Sequence, residues 1–274
     1  MNIVSLPHPN KLLVIESLDY PNAYDFHAPH RHDYFEIILI NKGSGDQRID
    51  FTSHDLNHGD IYIVYPGQVH LLNRNTANGL IIQFRKDIFE FLHPLRHQDL
   101  HFIDPHFVIS IDEFEHLYHL TEQINSLLKE PELSRLSLHK TYSYLQIILI
   151  SLIELKGTHH VPQEKEISSH FLSLISQHIK TKRKVSDYAE LLFCSSDKLT
   201  NACKSAFGQT PLKLIHQELM LEIRRLILLN KLTLKEIAYE LNFDSQANFS
   251  AFIRTSTNKT PTELQHEILK LYNE

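Results

Sequence analysis

The sequence predicts an α+β chain of two domains, a strand-rich N-terminal sandwich or barrel with flanking helices followed by an all-α C-terminal domain. Three observations lead to this. Short runs rich in Ile, Val, Tyr and Phe occupy roughly the first 100 residues. From about Ile88 the apolar residues recur at helical spacing. A segment of the C-terminal part then repeats 50 residues further on.

The strand runs are Lys11–Ser17 (KLLVIES), Tyr34–Ile40 (YFEIILI), Asp60–Tyr65 (DIYIVY) and Gly79–Phe84 (GLIIQF). Polar turn clusters (KGSG, NHGD, NRNTANG) separate them. Short strands at even spacing with turn signals between them build a sandwich or barrel. In DEFEHLYHLTEQINSLLKE, Phe114, Leu117, Leu120, Ile124, Leu127 and Leu128 fall on one helical face. A second helix is expected over Leu133–Leu155. Its second half is apolar nearly all round, so it needs cover on more than one side, from its own barrel, a second subunit, or both. The polar stretch Lys156–Glu166, with Gly157 and Pro162, has the character of a linker. The expected domains are 1–110 (barrel), 111–157 (helical dimerisation segment), 158–167 (linker) and 168–274 (helical domain).

Composition narrows the function classes. The 274 residues are 42% hydrophobic and 22% charged, enough apolar material for a core. The longest apolar run, Tyr144–Leu155, is interrupted by Gln146 and Ser151 and is shorter than the roughly 20 residues a membrane span requires. No basic segment followed by an apolar one opens the chain, so no signal peptide is expected. Cys194 and Cys203 lack metal or redox spacing and fit a reducing compartment. A cytoplasmic protein with no membrane partner follows. Cys203 falls at a core position of its helix and is expected to act as a small buried hydrophobe. The net charge of −6 is uneven. Ser168–Glu274 carries 14 Lys/Arg against 11 Asp/Glu, and the preceding residues carry 13 against 22. This asymmetry favours a division of labour between the halves.

The repeat pairs Ser195–Pro211 (SSDKLTNACKSAFGQTP) with Ser245–Pro261 (SQANFSAFIRTSTNKTP). Each opens on a serine suited to cap a helix, places apolar residues four and eight positions on, and closes at Gly208 or Asn258, residue types that tolerate the left-handed conformation ending a helix. Thr-Pro then starts the next helix. A short helix precedes each serine, Ser186–Leu192 and Leu234–Leu241, the latter capped by Thr233 with Glu236 at capping-box spacing. Ala189 and Ala238 leave room for a crossing helix. Helix, tight turn and capped second helix outline a helix-turn-helix. Two such units are joined by a long helix, Pro211–Asn230.

On these residues the last ~105 positions resemble the AraC/XylS family of transcription regulators, whose two helix-turn-helix units read DNA. The signature lies in LTLKEIAYELNFDSQANFSAFIRTSTNKTPTEL, at Ile237-Ala238, Phe243, Phe249-Ser250 and Pro261. The chain has Asn242 and Asn258 where the family usually has glycine, Ala251 where it often has arginine, and Ile253 where it often has an aromatic. The resemblance implies that the second helix of each unit enters a major groove, the two sites lying about one helical turn, roughly 34 Å, apart. The solvent-side residues are then Asp197, Lys198, Thr200, Asn201 and Lys204 in the first, and Gln246, Ala247, Asn248, Ser250 and Arg254 in the second. Asn201, Gln246 and Asn248 suit adenine, Asp197 suits cytosine, and Lys204 and Arg254 suit phosphate.

The N-terminal part resembles a cupin barrel, through HRHDYFEIILINKG (His30, His32, Glu36, Gly43) and GDIYIVYPGQVH (Gly59, Pro66-Gly67, His70). In metal cupins these positions imply a His₃Glu set. The same pattern recurs in sensor domains of AraC-like regulators, which commonly bind a small effector without metal. His30 and His32 share one face of an expected strand and His27 the other. The expectation is therefore an effector pocket at His30, His32, Glu36 and His70 with no metal, no cofactor and no catalytic residue. The partners are double-stranded DNA, a small-molecule effector, a second copy of the chain and RNA polymerase. The alternative is a metal-dependent cupin enzyme with an accessory DNA-binding domain.

Overall fold

The computed structural model describes residues 5–6, 11–19, 28–95, 97–100, 105–132, 134–155 and 163–273. His27 and positions 158–162 of the expected linker lie outside these. The chain divides into two compact units, Met1–Thr158 and His159–Glu274.

Among the described residues the first unit holds eight strands, β1 Leu13–Ser17, β2 Phe35–Lys42, β3 Asp46–Ile49, β4 Thr52–Asp55, β5 Asp60–Val64, β6 His70–Asn73, β7 Asn78–Phe84 and β8 His106–Val108. They form two antiparallel sheets, β1-β7-β2-β5-β8 and β4-β3-β6. The four strands expected from sequence are β1, β2, β5 and β7, all in the larger sheet. The strands β3, β4, β6 and β8 are not legible, because three or four residues such as HFV, DQRI or TSHD carry little apolar alternation.

Strand β2 is buried on both faces from Phe35 to Ile40. Alternate residues serve different cores, as the period of two requires. Phe35, Ile37 and Leu39 pack with helices α1 (Ile111–Leu128) and α2 (Arg135–Leu155), through Phe114, Leu117, Ile124, Leu145, Ile148 and Leu152. Ile38 and Ile40 pack with Ile49, Leu56, Tyr62 and Leu72 on the other face. Helix α1 starts at a full capping box between Ser110 and Glu113. On α2, Leu136 and Ile147 remain exposed at 78% and 44%.

The second unit holds α3 (Gln163–His178), α4 (Val185–Leu191), α5 (Ser196–Phe207), α6 (Pro211–Leu228), α7 (Leu234–Glu240), α8 (Gln246–Thr257) and α9 (Pro261–Asn273). Helix α3 begins inside the stretch expected as linker, since Gln163, Glu164, Lys165 and Glu166 are good helix formers. Leu199, Cys203, Ile215, Leu219, Ile223, Ile237, Phe249 and Ile253 are buried in this unit. Cys203 is a core residue as expected, and burial pushes its thiol up to about 12. No helix among the described residues is long and apolar enough to cross a membrane.

Candidate functional site

Helices α4 and α5 form one helix-turn-helix and α7 and α8 the other. Ser195 accepts the backbone N–H of Lys198, and Ser245 accepts that of Asn248. At the far ends Gly208 (φ 66°) and Asn258 (φ 58°) take the left-handed conformation, each sending its N–H back to Lys204 O or Arg254 O. The substitution of asparagine for glycine leaves the cap geometry unchanged, because asparagine tolerates positive φ. Thr233 and Glu236 close a complete capping box on α7.

The caps hold two equivalent faces outward. Asp197, Lys198, Asn201 and Lys204 are exposed on α5, and Gln246, Ala247, Asn248 and Arg254 on α8. Thr200 and Ser250 are half-buried at matching positions, and the Thr200 hydroxyl donates to Ser196 O at 2.7 Å. Ser205 and Thr255 complete the exposed rows one position beyond Lys204 and Arg254. Polar residues spaced three and four apart over about three turns match the reach of a helix lying in a major groove.

The β-unit gathers a different site. His30, His32, Glu36 and His70 are all buried. His30 and His70 exchange backbone hydrogen bonds, which brings the end of β6 to the segment before β2. The His70 ring lies 4.3 Å from the His30 ring and 5.0 Å from the His32 ring, centroid to centroid. The ligand atoms of His32, Glu36 and His70 all lie within 4.8 Å of one another. His30 stands beside this trio with its Nδ1 3.1 Å from Ala28 O. Two glutamines that sequence reasoning missed complete the cluster. Gln83, paired with Glu36 across β7 and β2, donates to Glu36 Oε2 at 2.9 Å. Gln47 on β3 places its amide 3.3 Å from His70 Nδ1.

Burial suppresses charge on Glu36, His32 and His70. Burial pushes Glu36 up to about 7, against the pull of the Gln83 amide. Burial, and then the neighbouring His30, push His32 down to about 3. His70 is held well below its ordinary range by the same causes. A carbonyl can only accept, so the 2.7 Å contact to Tyr34 O makes His32 Nδ1 the protonated nitrogen and leaves Nε2 a bare lone pair. His32 Nε2, His70 Nε2, Gln47 Oε1 and Gln83 Oε1 are buried and have no hydrogen-bond partner among the described residues. Native structures rarely leave such atoms unpaired without a reason. Two imidazoles and a carboxylate also suit a divalent transition metal, and an imidazole held by a backbone carbonyl is the usual arrangement of a histidine ligand.

Two capped helix-turn-helix units in one domain, in a chain that also carries a β-domain with a buried polar site, define a sensor-and-reader transcription regulator. The chain belongs to the AraC family. The family model described as AraC-like ligand binding domain matches residues 14–93, and the helix-turn-helix domain model matches residues 188–267. The HTH-type transcriptional activator RhaS of Escherichia coli O139:H28 is 21% identical over 246 residues, 86% of each chain. RhaS of E. coli O1:K1 is 20% identical over 247 residues, again 86% of each chain. Among solved structures, unsaturated-fatty-acid-bound ToxT from Vibrio cholerae strain SCE256 aligns at 16% identity and a TM-score of 0.41, covering 93% of this chain and 94% of that one. The AraC-like transcriptional activator CuxR aligns at 11% identity and a TM-score of 0.36, covering 69% and 67%. The protein is thus a DNA-binding transcription regulator with a ligand-binding domain.

Proposed function

We propose that α5 and α8 are the recognition helices and that the buried His–Glu cluster is the effector site of the β-unit. The twin capped units carry the first part, since two surfaces of one design exposing Asn201, Gln246 and Asn248 suit two adjacent major-groove segments. Asp197, Lys198, Thr200, Ala247 and Ser250 line the same faces, and Lys204 and Arg254 take phosphate. The unpaired atoms of His32, His70, Gln47 and Gln83 support the second part, because a small polar molecule would supply the missing donors and acceptors. In this reading the protein is a regulator rather than an enzyme, works in the cytoplasm, pairs with a second copy through α1 and α2, and acts on RNA polymerase. The test is selection of genomic fragments by the purified protein, followed by sequencing. A discrete site with half-motifs one helical turn apart is expected. Binding without sequence preference at low salt, where phosphate contacts are strongest, would falsify the recognition-helix assignment.

A divalent metal at His32, Glu36 and His70 is the second reading, favoured by the convergence of three buried ligand atoms. When bound, a metal would give the site Lewis acidity, and the Tyr34 carbonyl and Gln83 amide would orient two of its ligands. Elemental analysis of the purified protein separates the two readings. Stoichiometric metal that Glu36→Gln and His70→Gln both abolish supports this one.

A further inference from the structure

We infer that Phe193 is a DNA-contacting residue of the first helix-turn-helix, an apolar contact beside the polar ones of α5. The inference rests on the assignment of α5 as a recognition helix. Phe193 sits in the turn between α4 and α5 and is 98% exposed, the highest value among the exposed large hydrophobics of the described residues. Its φ is 50°, a conformation that a bulky side chain rarely adopts.

The second unit shows what this position needs for folding. There the equivalent residue is Asn242, also at φ 50°. The backbone bonds correspond one to one. Phe193 N–H donates to Glu190 O at 3.0 Å and Asn242 N–H to Tyr239 O at 2.9 Å. The next residues, Cys194 and Phe243, donate to Ala189 O and Ala238 O, both at 3.0 Å. Asparagine is at ease at positive φ, and Asn242 also donates its amide to Lys180 O at 3.2 Å. Phe193 does neither. It strains the backbone and exposes an aromatic ring, so neither the turn nor the core accounts for it.

Its place in the chain points to the partner. Ser195, two residues on, caps α5, and Asp197, Lys198 and Asn201 are exposed on the turns that follow. The N-terminal end of a recognition helix is the end that meets base edges. A phenyl ring there can rest on a thymine methyl or on the apolar face of a deoxyribose, contacts that polar residues do not make.

The test compares the full-length parent with Phe193→Asn and Phe193→Tyr on one site chosen by genomic selection. Phe193→Asn is expected to unfold at a higher temperature, because strain is relieved, yet to bind that site more weakly by on the order of fivefold. The slope of log affinity against log salt should not change, since no phosphate contact is lost. Phe193→Tyr should keep most of the affinity. Replacing thymines one at a time by uracil assigns the contact. Loss confined to one position in the parent and absent from Phe193→Asn marks the methyl, and no such position marks the sugar. Parent-like affinity of Phe193→Asn overturns the inference, and so does a variant that binds DNA normally but no longer regulates transcription, which would place a protein on the ring. Failure of the parent itself to select any site would instead remove the recognition-helix assignment.

Discussion

Single residues decide both sites by different means. On α5 and α8 the relevant side chains face outward, and their value lies in what they can pair with. Gln246→Ala is expected to lose on the order of 1–3 kcal/mol at one base position and to relax preference there. Arg254→Ala should weaken binding on all sequences and reduce the salt slope by about one. Affinity measured over a salt series on a set of single-base variants separates these outcomes. In the β-unit the side chains face inward, and titration reports on them. Glu36 keeps its proton to about pH 7 when folded, against the usual 4.5. The folded state therefore binds the extra proton between these values, and the stability this provides is lost as pH rises through 7. His32 works in the opposite sense, from 6.5 down to about 3, losing stability as pH falls. Stability is therefore lost on the acid side through His32 and His70 and on the alkaline side through Glu36. Urea unfolding should show the parent losing on the order of 1 kcal/mol between pH 6 and 8 relative to Glu36→Gln. Parallel curves for the two proteins over that range would mean that Glu36 is already ionised when folded.

At the scale of elements, the capping residues set where α5 and α8 begin and so where their first side chains stand. Ser195→Ala and Ser245→Ala should each cost about 1 kcal/mol in thermal or denaturant unfolding. Each should weaken DNA binding further, because the first turn then frays. An unchanged midpoint for Ser245→Ala would show that the Asn248 N–H finds water or another acceptor. Strand pairing plays the corresponding part in the β-unit. The β2–β7 register sets Gln83 opposite Glu36, and a one-residue slip would send Glu36 to the face packed by α1 and α2. The helical domain was largely legible in the sequence, since caps and the three-to-four spacing are local signals. Gln47 and Gln83 were not, since cross-strand partners are distant in sequence and β3 is too short and polar to announce itself.

For the whole molecule, the division into a β-unit and a helical unit matches the uneven charge of the chain, and regulation requires the two to communicate. An effector can shift DNA binding only by preferring one state of the protein over the other. The exposed Leu136 and Ile147 on α2 suit a surface covered by a second copy. The paired variant Leu136→Glu/Ile147→Glu should sediment as a monomer where the parent sediments as a dimer, with secondary structure intact. A parent that remains monomeric at tens of micromolar, a typical working concentration for weak dimers, would place dimerisation elsewhere or remove it.

By itself the sequence determined the order of the two domains, the two helix-turn-helix units with their caps, the outward-facing residues of α5 and α8, and the histidines worth watching. All of these rest on interactions within a few residues along the chain. Only the tertiary structure decided that His32, Glu36 and His70 meet with Gln47 and Gln83 in a buried site, that His30 stands beside that site, and that Phe193 is held at positive φ in full solvent while Asn242 serves the same turn. The first two outcomes depend on strand register and burial, which are set by contacts between residues far apart in sequence, and the third on a turn whose backbone bonds reach back only to Glu190 and Ala189.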